Sequence, residues 1–173
     1  MFRLAAILLL CAGCEPVKQP DSLRTVAAYE VPLFHATDKE VFLTLLQKDA
    51  KAHGFHVDAA TSDDLKLSSE VSPITFNAAV WRGEDDDEPI AFAMDFQDRI
   101  GRVWLTFTLG QDPARSSRFR RDLVPAIERN WPETRSLPIM PNGGIPLTED
   151  LVRTQSGYRV KPSAEAKYQK RER

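Results

Sequence analysis

Between residues 74 and 109 the sequence alternates with a period of two in three successive runs, and this pattern restricts the fold more than any other feature. Ile74, Phe76, Ala78 and Val80 alternate with Thr75, Asn77, Ala79 and Trp81. Ile90, Phe92, Met94 and Phe96 alternate with Ala91, Ala93, Asp95 and Gln97. Val103, Leu105, Phe107 and Leu109 alternate with Arg102, Trp104, Thr106 and Thr108. Successive side chains of a strand point to opposite faces of its sheet, so each run predicts a half-buried strand. The connectors, 83–89 and 98–101, are turn-like and too short for a crossover. The three strands are therefore expected to form an antiparallel meander over about 73–109.

Two helices are expected on one side of that sheet. Thr37-x-x-Glu40 reads as a capping box opening a helix over 38–53, with Val41, Phe42, Leu45 and Leu46 as its apolar stripe and Gly54 at its C-terminal end. Asp112 as N-cap and Pro113 as first helical residue open a second helix over 113–130. Phe119, Leu123, Ala126 and Ile127 form its stripe, Pro125 is expected to kink it, and Trp131-Pro132 ends it. Weaker signals suggest a short strand over 29–34, confined to an edge by Pro32, and further strands over 55–60 and 135–139. One or two helical turns are expected over 148–153, and a frayed, charged tail over 161–173. The order predicts an α+β domain, an antiparallel sheet covered on one face by two helices.

The Ile/Phe/Val side of the meander should face the helices, which leaves its other face to explain. If Gln97 pairs with Arg102, Asp95 lies opposite Trp104; if Trp81 pairs with Ala91, Asn77 lies opposite Asp95. That register puts Asn77, Asp95 and Trp104 in one row, with Trp81 two rows away and the small Ala79 and Ala93 between. Tryptophan is enriched where surfaces bind partners. Trp81, Asp95, Trp104 and Asn77 are therefore the candidate residues for binding a protein partner. The plainer expectation is that residues 140–165 fold back over this face.

Composition removes several classes of function. The 23 Lys and Arg against 25 Asp and Glu leave a net charge of −2, which does not suit nucleic acid. There is no glycine-rich phosphate loop and no GxSxG elbow. The three histidines, His35, His53 and His56, lack metal-ligand spacing, and the acidic run 84–88 lacks the glycine of a calcium loop. That run reads as a solvated hairpin tip. Arg115, Arg118, Arg121 and Arg129 share one side of the second helix and read as a solvated face. No cofactor and no metal is expected. Asp95, a lone carboxylate, carries the one enzymatic alternative, an envelope hydrolase.

The N-terminus adds a location. Met1-Phe2-Arg3 precedes a brief apolar run, 4–11, then Ala12-Gly13-Cys14 and an abrupt change to Glu15, Pro16, Lys18, Gln19 and Pro20. A spanning helix needs about 20 apolar residues, and residues 4–14 reach only about 17 Å as a helix. The pattern is that of a secretory signal. Cys11-Ala12-Gly13-Cys14 resembles the lipobox of bacterial lipoproteins, with Cys11 where that family usually has Leu. The resemblance implies cleavage after Gly13 and acylation of Cys14, so that 1–13 is the signal peptide and 14–25 a lipidated N-terminus and spacer. Residues 26–160 would then form one domain and 161–173 a tail. Removing Cys11 and lipidating Cys14 leaves the domain without a thiol. Glu15, where Asp would signal inner-membrane retention, points to the outer membrane, with the domain facing the periplasm. At the level of class, such proteins resemble immunity proteins or inhibitors and accessory factors of envelope assemblies, which bind rather than catalyse.

Overall fold

A 3-10 turn at Asp21–Leu23 leads into β1 (Thr25–Pro32), and both lie against the end of a later strand, since the Gly110 and Leu109 N–H groups donate to Ser22 and Arg24 carbonyls at 2.8 and 2.9 Å. Residues 21–25, expected as spacer, are thus part of the domain. The computed structural model describes residues 21–60, 76–83, 88–95 and 102–169. The signal and Cys14, Ile74 and Thr75, the acidic residues 84–87 and the turn 98–101 lie outside the described residues.

After β1 come α1 (Ala36–Ala52), β2 (His56–Ala59), β3 (Asn77–Trp81), β4 (Ala91–Met94), β5 (Arg102–Thr108) and α2 (Pro113–Asn130). The chain continues through β6 (Arg135–Ser136), a 3-10 turn at Thr148–Asp150, β7 (Leu151–Arg153), β8 (Tyr158–Val160) and the short α3 (Glu165–Tyr168). Six strands form one antiparallel sheet in the order β2-β3-β4-β5-β1-β6, and β7 and β8 form a separate hairpin. The fold is α+β, with the expected meander at β3-β4-β5. β1 is not an edge strand: it pairs with β5 along its length and with β6 at Tyr29 and Glu30. Pro32 is tolerated because it ends the strand, beyond the two residues that β6 pairs.

α1 begins two residues earlier than expected. Its N-cap is His35, whose N–H donates to the Asp38 carboxylate at 3.1 Å, so the acid of the first turn serves this cap and not one at Thr37. Its C-terminus closes as the sequence suggests. Gly54 has φ +69°, its N–H donates to Lys51 O and the Phe55 N–H to Ala50 O, a Schellman pair that satisfies two terminal carbonyls. α2 is capped by Asp112, which accepts the Arg115 N–H at 3.0 Å, and it runs unbroken through Pro125.

Both helices bury their stripes on one face of the sheet. Phe42, Leu46 and Ala50 of α1 and Phe119, Leu123 and Ile127 of α2 share a cluster with Val31, Val80, Val103, Leu105 and Phe107 of the strands. Phe42 meets Phe76 and Trp131 edge-on at 5.7 Å, and Phe107 meets Phe119 at 6.1 Å. The C-terminal third differs from expectation. Residues 148–153 form a 3-10 turn and a strand, and much of the supposed tail is docked: Asp150 accepts from Lys167 at 2.7 Å and from the Tyr168 hydroxyl.

Candidate functional site

The site expected on the outer face depends on how β4 is registered, and β4 is one residue out of the expected register on both sides. Val80 pairs with Ala91, Asn77 with Met94, and Met94 with Trp104. A slip of one residue turns every side chain of a strand to the other face. Ala91 and Ala93 therefore lie in the helix-covered core, each 0% exposed, while Phe92 and Met94, expected in that core, are half-buried on the outer face. The reason is volume. Phe42, Phe76, Phe107 and Phe119 already fill the space between sheet and helices, and alanines on the inner side of β4 let them close-pack.

Asp95 turns inward with its strand. It is 0% exposed, and its Oδ1 accepts the Phe76 N–H at 3.0 Å while its own N–H donates to Phe76 O at 3.3 Å. The carboxylate ties the start of β3 to the end of β4. It does not share a face with Trp104 or Asn77, and the expected row of three is corrected to Asn77, Met94, Trp104 and Glu30. With no exposed surface, Asp95 presents nothing to a substrate.

Trp104 is on the outer face, half-buried against the chain's own C-terminal segment. It packs in a second cluster with Ala28, Leu137, Leu151, Ile139, Ile145 and Tyr158. The C-terminal segment thus folds back over the β1–β5 half of this face. Beneath it is a polar centre that sequence reasoning missed. Glu30 is 1% exposed and accepts from Arg102 Nη1 at 2.9 Å, from the Tyr158 hydroxyl at 2.6 Å and from Trp104 Nε1 at 3.4 Å. Burying a carboxylate is tolerable when it is ion-paired and hydrogen-bonded in this way. The centre pins the C-terminal hairpin to the sheet.

The β3–β4 half of the outer face keeps the remaining candidates. Asn77, Trp81, Phe92 and Met94 are all half-buried there, around the buried Ala79. Trp81 sits opposite His56 of β2, and its indole N–H is buried without a hydrogen-bond partner among the described residues. An unsatisfied tryptophan donor beside half-exposed apolar side chains is the most partner-like feature of this face.

Other constellations are structural. Arg115 leaves the supposed cationic strip to cap α1: its Nε donates to His53 O at 2.7 Å, and its guanidinium lies 4.4 Å above the Phe55 ring. Arg121 pairs with Asp122, and Arg129 donates to Pro125 O. His53 Nε2 lies 3.2 Å from Asp122, joining the end of α1 to α2. Burial pushes the Tyr29 phenol above its ordinary value, with Arg120 opposing and Glu128 reinforcing the shift. Among the described residues no cluster of three or more His, Cys, Asp or Glu side chains is placed to hold a metal, and no helix is long and apolar enough to cross a membrane.

No family model matches the chain, and no curated protein matches it in sequence.

Proposed function

We propose that this protein is a lipoprotein of the bacterial envelope, anchored through acylated Cys14, probing the periplasm from the outer membrane and acting by binding a protein partner, in the manner of an immunity protein, an inhibitor or an assembly accessory factor. The observation that carries the reading is Cys11-Ala12-Gly13-Cys14, placed only seven residues before the domain begins at Asp21. That separation suits a short tether between lipid and fold. The buried carboxylates support binding over catalysis, because Glu30 and Asp95 are both spent on holding strands and hairpin in place. The partner surface in this reading is the β3–β4 half of the outer face, formed by Asn77, Trp81, Phe92 and Met94 around Ala79.

Metabolic labelling with palmitate, followed by membrane fractionation, tests the anchor. Wild type is expected to carry label and sediment with membranes, and Cys14→Ser to carry none. Equal labelling of the two would contradict the reading. For the surface, Trp81→Ala is expected to weaken capture of a cross-linked envelope partner about tenfold or more, as central aromatic anchors do. Its thermal midpoint should stay close to wild type. Trp104→Ala is expected to lower the midpoint instead, because Trp104 supports the docked C-terminal segment.

A further inference from the structure

α1 buries one side and presents another. Phe42, Leu46 and Ala50 face the sheet. On the outward side an open groove of about 430 Å³ runs between α1 and the end of α2, lined by Glu40, Val41, Thr44, Leu45, Lys48 and Asn130. At about 100° per residue the five α1 positions fall within a sector of about 140°. Val41, near the middle of that sector, is 52% exposed, and Leu45 beside it is half-buried.

The neutral polar groups of the groove are already satisfied by their own helices. The Thr44 hydroxyl donates to Glu40 O and the Asn130 side-chain amide to Ala126 O, each at 2.8 Å. Both can be covered without stranding that donor. The charges that remain are Glu40 and Lys48, and among the described residues neither forms an ion pair. They bracket the groove with opposite signs, one turn before and one turn after Thr44, about 12 Å apart along the axis.

That arrangement is self-complementary. A two-fold axis through Thr44 sets a second α1 antiparallel to the first. Glu40 then meets Lys48 of the second copy, and Lys48 meets its Glu40, so one pattern supplies two ion pairs. Val41 of each copy lies against Leu45 of the other, with the Lys48 stems covering both. The helix dipoles also oppose each other in this sense. A parallel pairing would instead put Glu40 beside Glu40 and Lys48 beside Lys48. A patch that complements itself under two-fold rotation is what a closed homodimer requires.

We propose that the outward face of α1 docks a second copy of this chain, paired antiparallel about Thr44. The proposal is independent of the lipid on Cys14 and of the β3–β4 surface. Contact along one helix face is smaller than the roughly 800 Å² per partner of a standard interface, so the dimer is weak. Its apolar centre sets the affinity and its charges set the register.

Sedimentation velocity of the full-length protein in density-matched nonionic detergent, over a wide range of protein concentration, tests it. The expected result is a reversible, concentration-dependent monomer–dimer equilibrium. Glu40→Lys and Lys48→Glu should each weaken it about tenfold or more, because both pairs become like-charge contacts. Glu40→Lys combined with Lys48→Glu should restore it, since the pairs re-form in the opposite sense. Val41→Asp, at an exposed position, should abolish it with an unchanged thermal midpoint. A monomer at every concentration, association untouched by Val41→Asp, or a double reversal as weak as the single ones overturns the proposal. Benzoylphenylalanine placed at Val41 gives a second readout that holds even if a charge reversal frays α1. A photo-cross-link in cells to a second copy supports the pairing, and a cross-link only to a different chain overturns it.

Discussion

Glu30 receives three side-chain donors while almost wholly removed from water. Removing it strands Arg102, which keeps 29% of its side chain exposed. Glu30→Ala is therefore expected to cost about 2–3 kcal/mol in urea denaturation, somewhat less than breaking a fully buried pair. Glu30→Gln, which still accepts from Tyr158 and Trp104, should cost less than Glu30→Ala. Equal stability of Glu30→Ala and wild type would show that the centre contributes nothing. Gly157 makes a second test at this scale. A Cβ there would stand 2.6 Å from the Ser136 backbone oxygen, so Gly157→Ala is expected to lift the β7–β8 hairpin and speed its proteolysis. None of this was legible in the sequence. Glu30 stands 72, 74 and 128 residues from its donors, and no local pattern marks a carboxylate whose partners are so distant.

Strands β3, β4 and β5 were legible because period two shows which residues share a face. It does not show which face is inside, and β4 is where that gap appears. Phe92 and Met94 are more hydrophobic than Ala91 and Ala93, so hydrophobicity alone turns the strand the wrong way. Space under the helix rings decides against it, and the rings of Phe42 and Phe119 come from elements far away in sequence. Substitutions read this orientation directly. Ala93→Leu should overpack the core and cost about 1–3 kcal/mol. Phe107→Ala should cost about 3–5 kcal/mol, and Phe92→Ala distinctly less, because Phe92 is half-buried on the other face. The reverse order, with Phe92→Ala the costlier change and Ala93→Leu neutral, would mean the opposite register. The helices were read nearly to their ends, because Gly54, Asp112 and Pro113 are local signals. β1 was read too short, since Thr25, Ala27 and Ala28 carry little alternation and Pro32 argued for an edge. The helical turn expected over 148–153 is present as the 3-10 turn Thr148–Asp150, but Leu151–Arg153 is a strand, too short to show a period.

At the scale of the whole molecule, the C-terminal segment closes half of the outer face and is itself clasped at Asp150. Hydrogen bonds from Lys167 and then Tyr168 hold the Asp150 carboxyl below its ordinary value of 3.8, and Asp150 raises Lys167 above 10.5. A carboxylate depressed on folding contributes stability in full above its unfolded value, and loses it as pH falls through the folded value. Lys167 adds a contribution that is full below 10.5 and is lost as pH rises further. The clasp is therefore expected to hold between about pH 4 and 10. The Leu147 amide, which donates to the Tyr168 hydroxyl at 3.1 Å, should keep its bonded NMR shift across that range and lose it below. A loss near pH 6 would contradict this assignment. With one half of the outer face closed by this clasp, the proposed partner surface is the β3–β4 half, and the proposed lipid on Cys14 would set where that half acts. The most direct measurement of this account is the mass of the mature N-terminus in protein extracted from membranes. The account predicts that residues 1–13 are absent and that the first residue is Cys14 carrying acyl chains. A chain beginning at Met1, or an unmodified Cys14 in the membrane fraction, would contradict it.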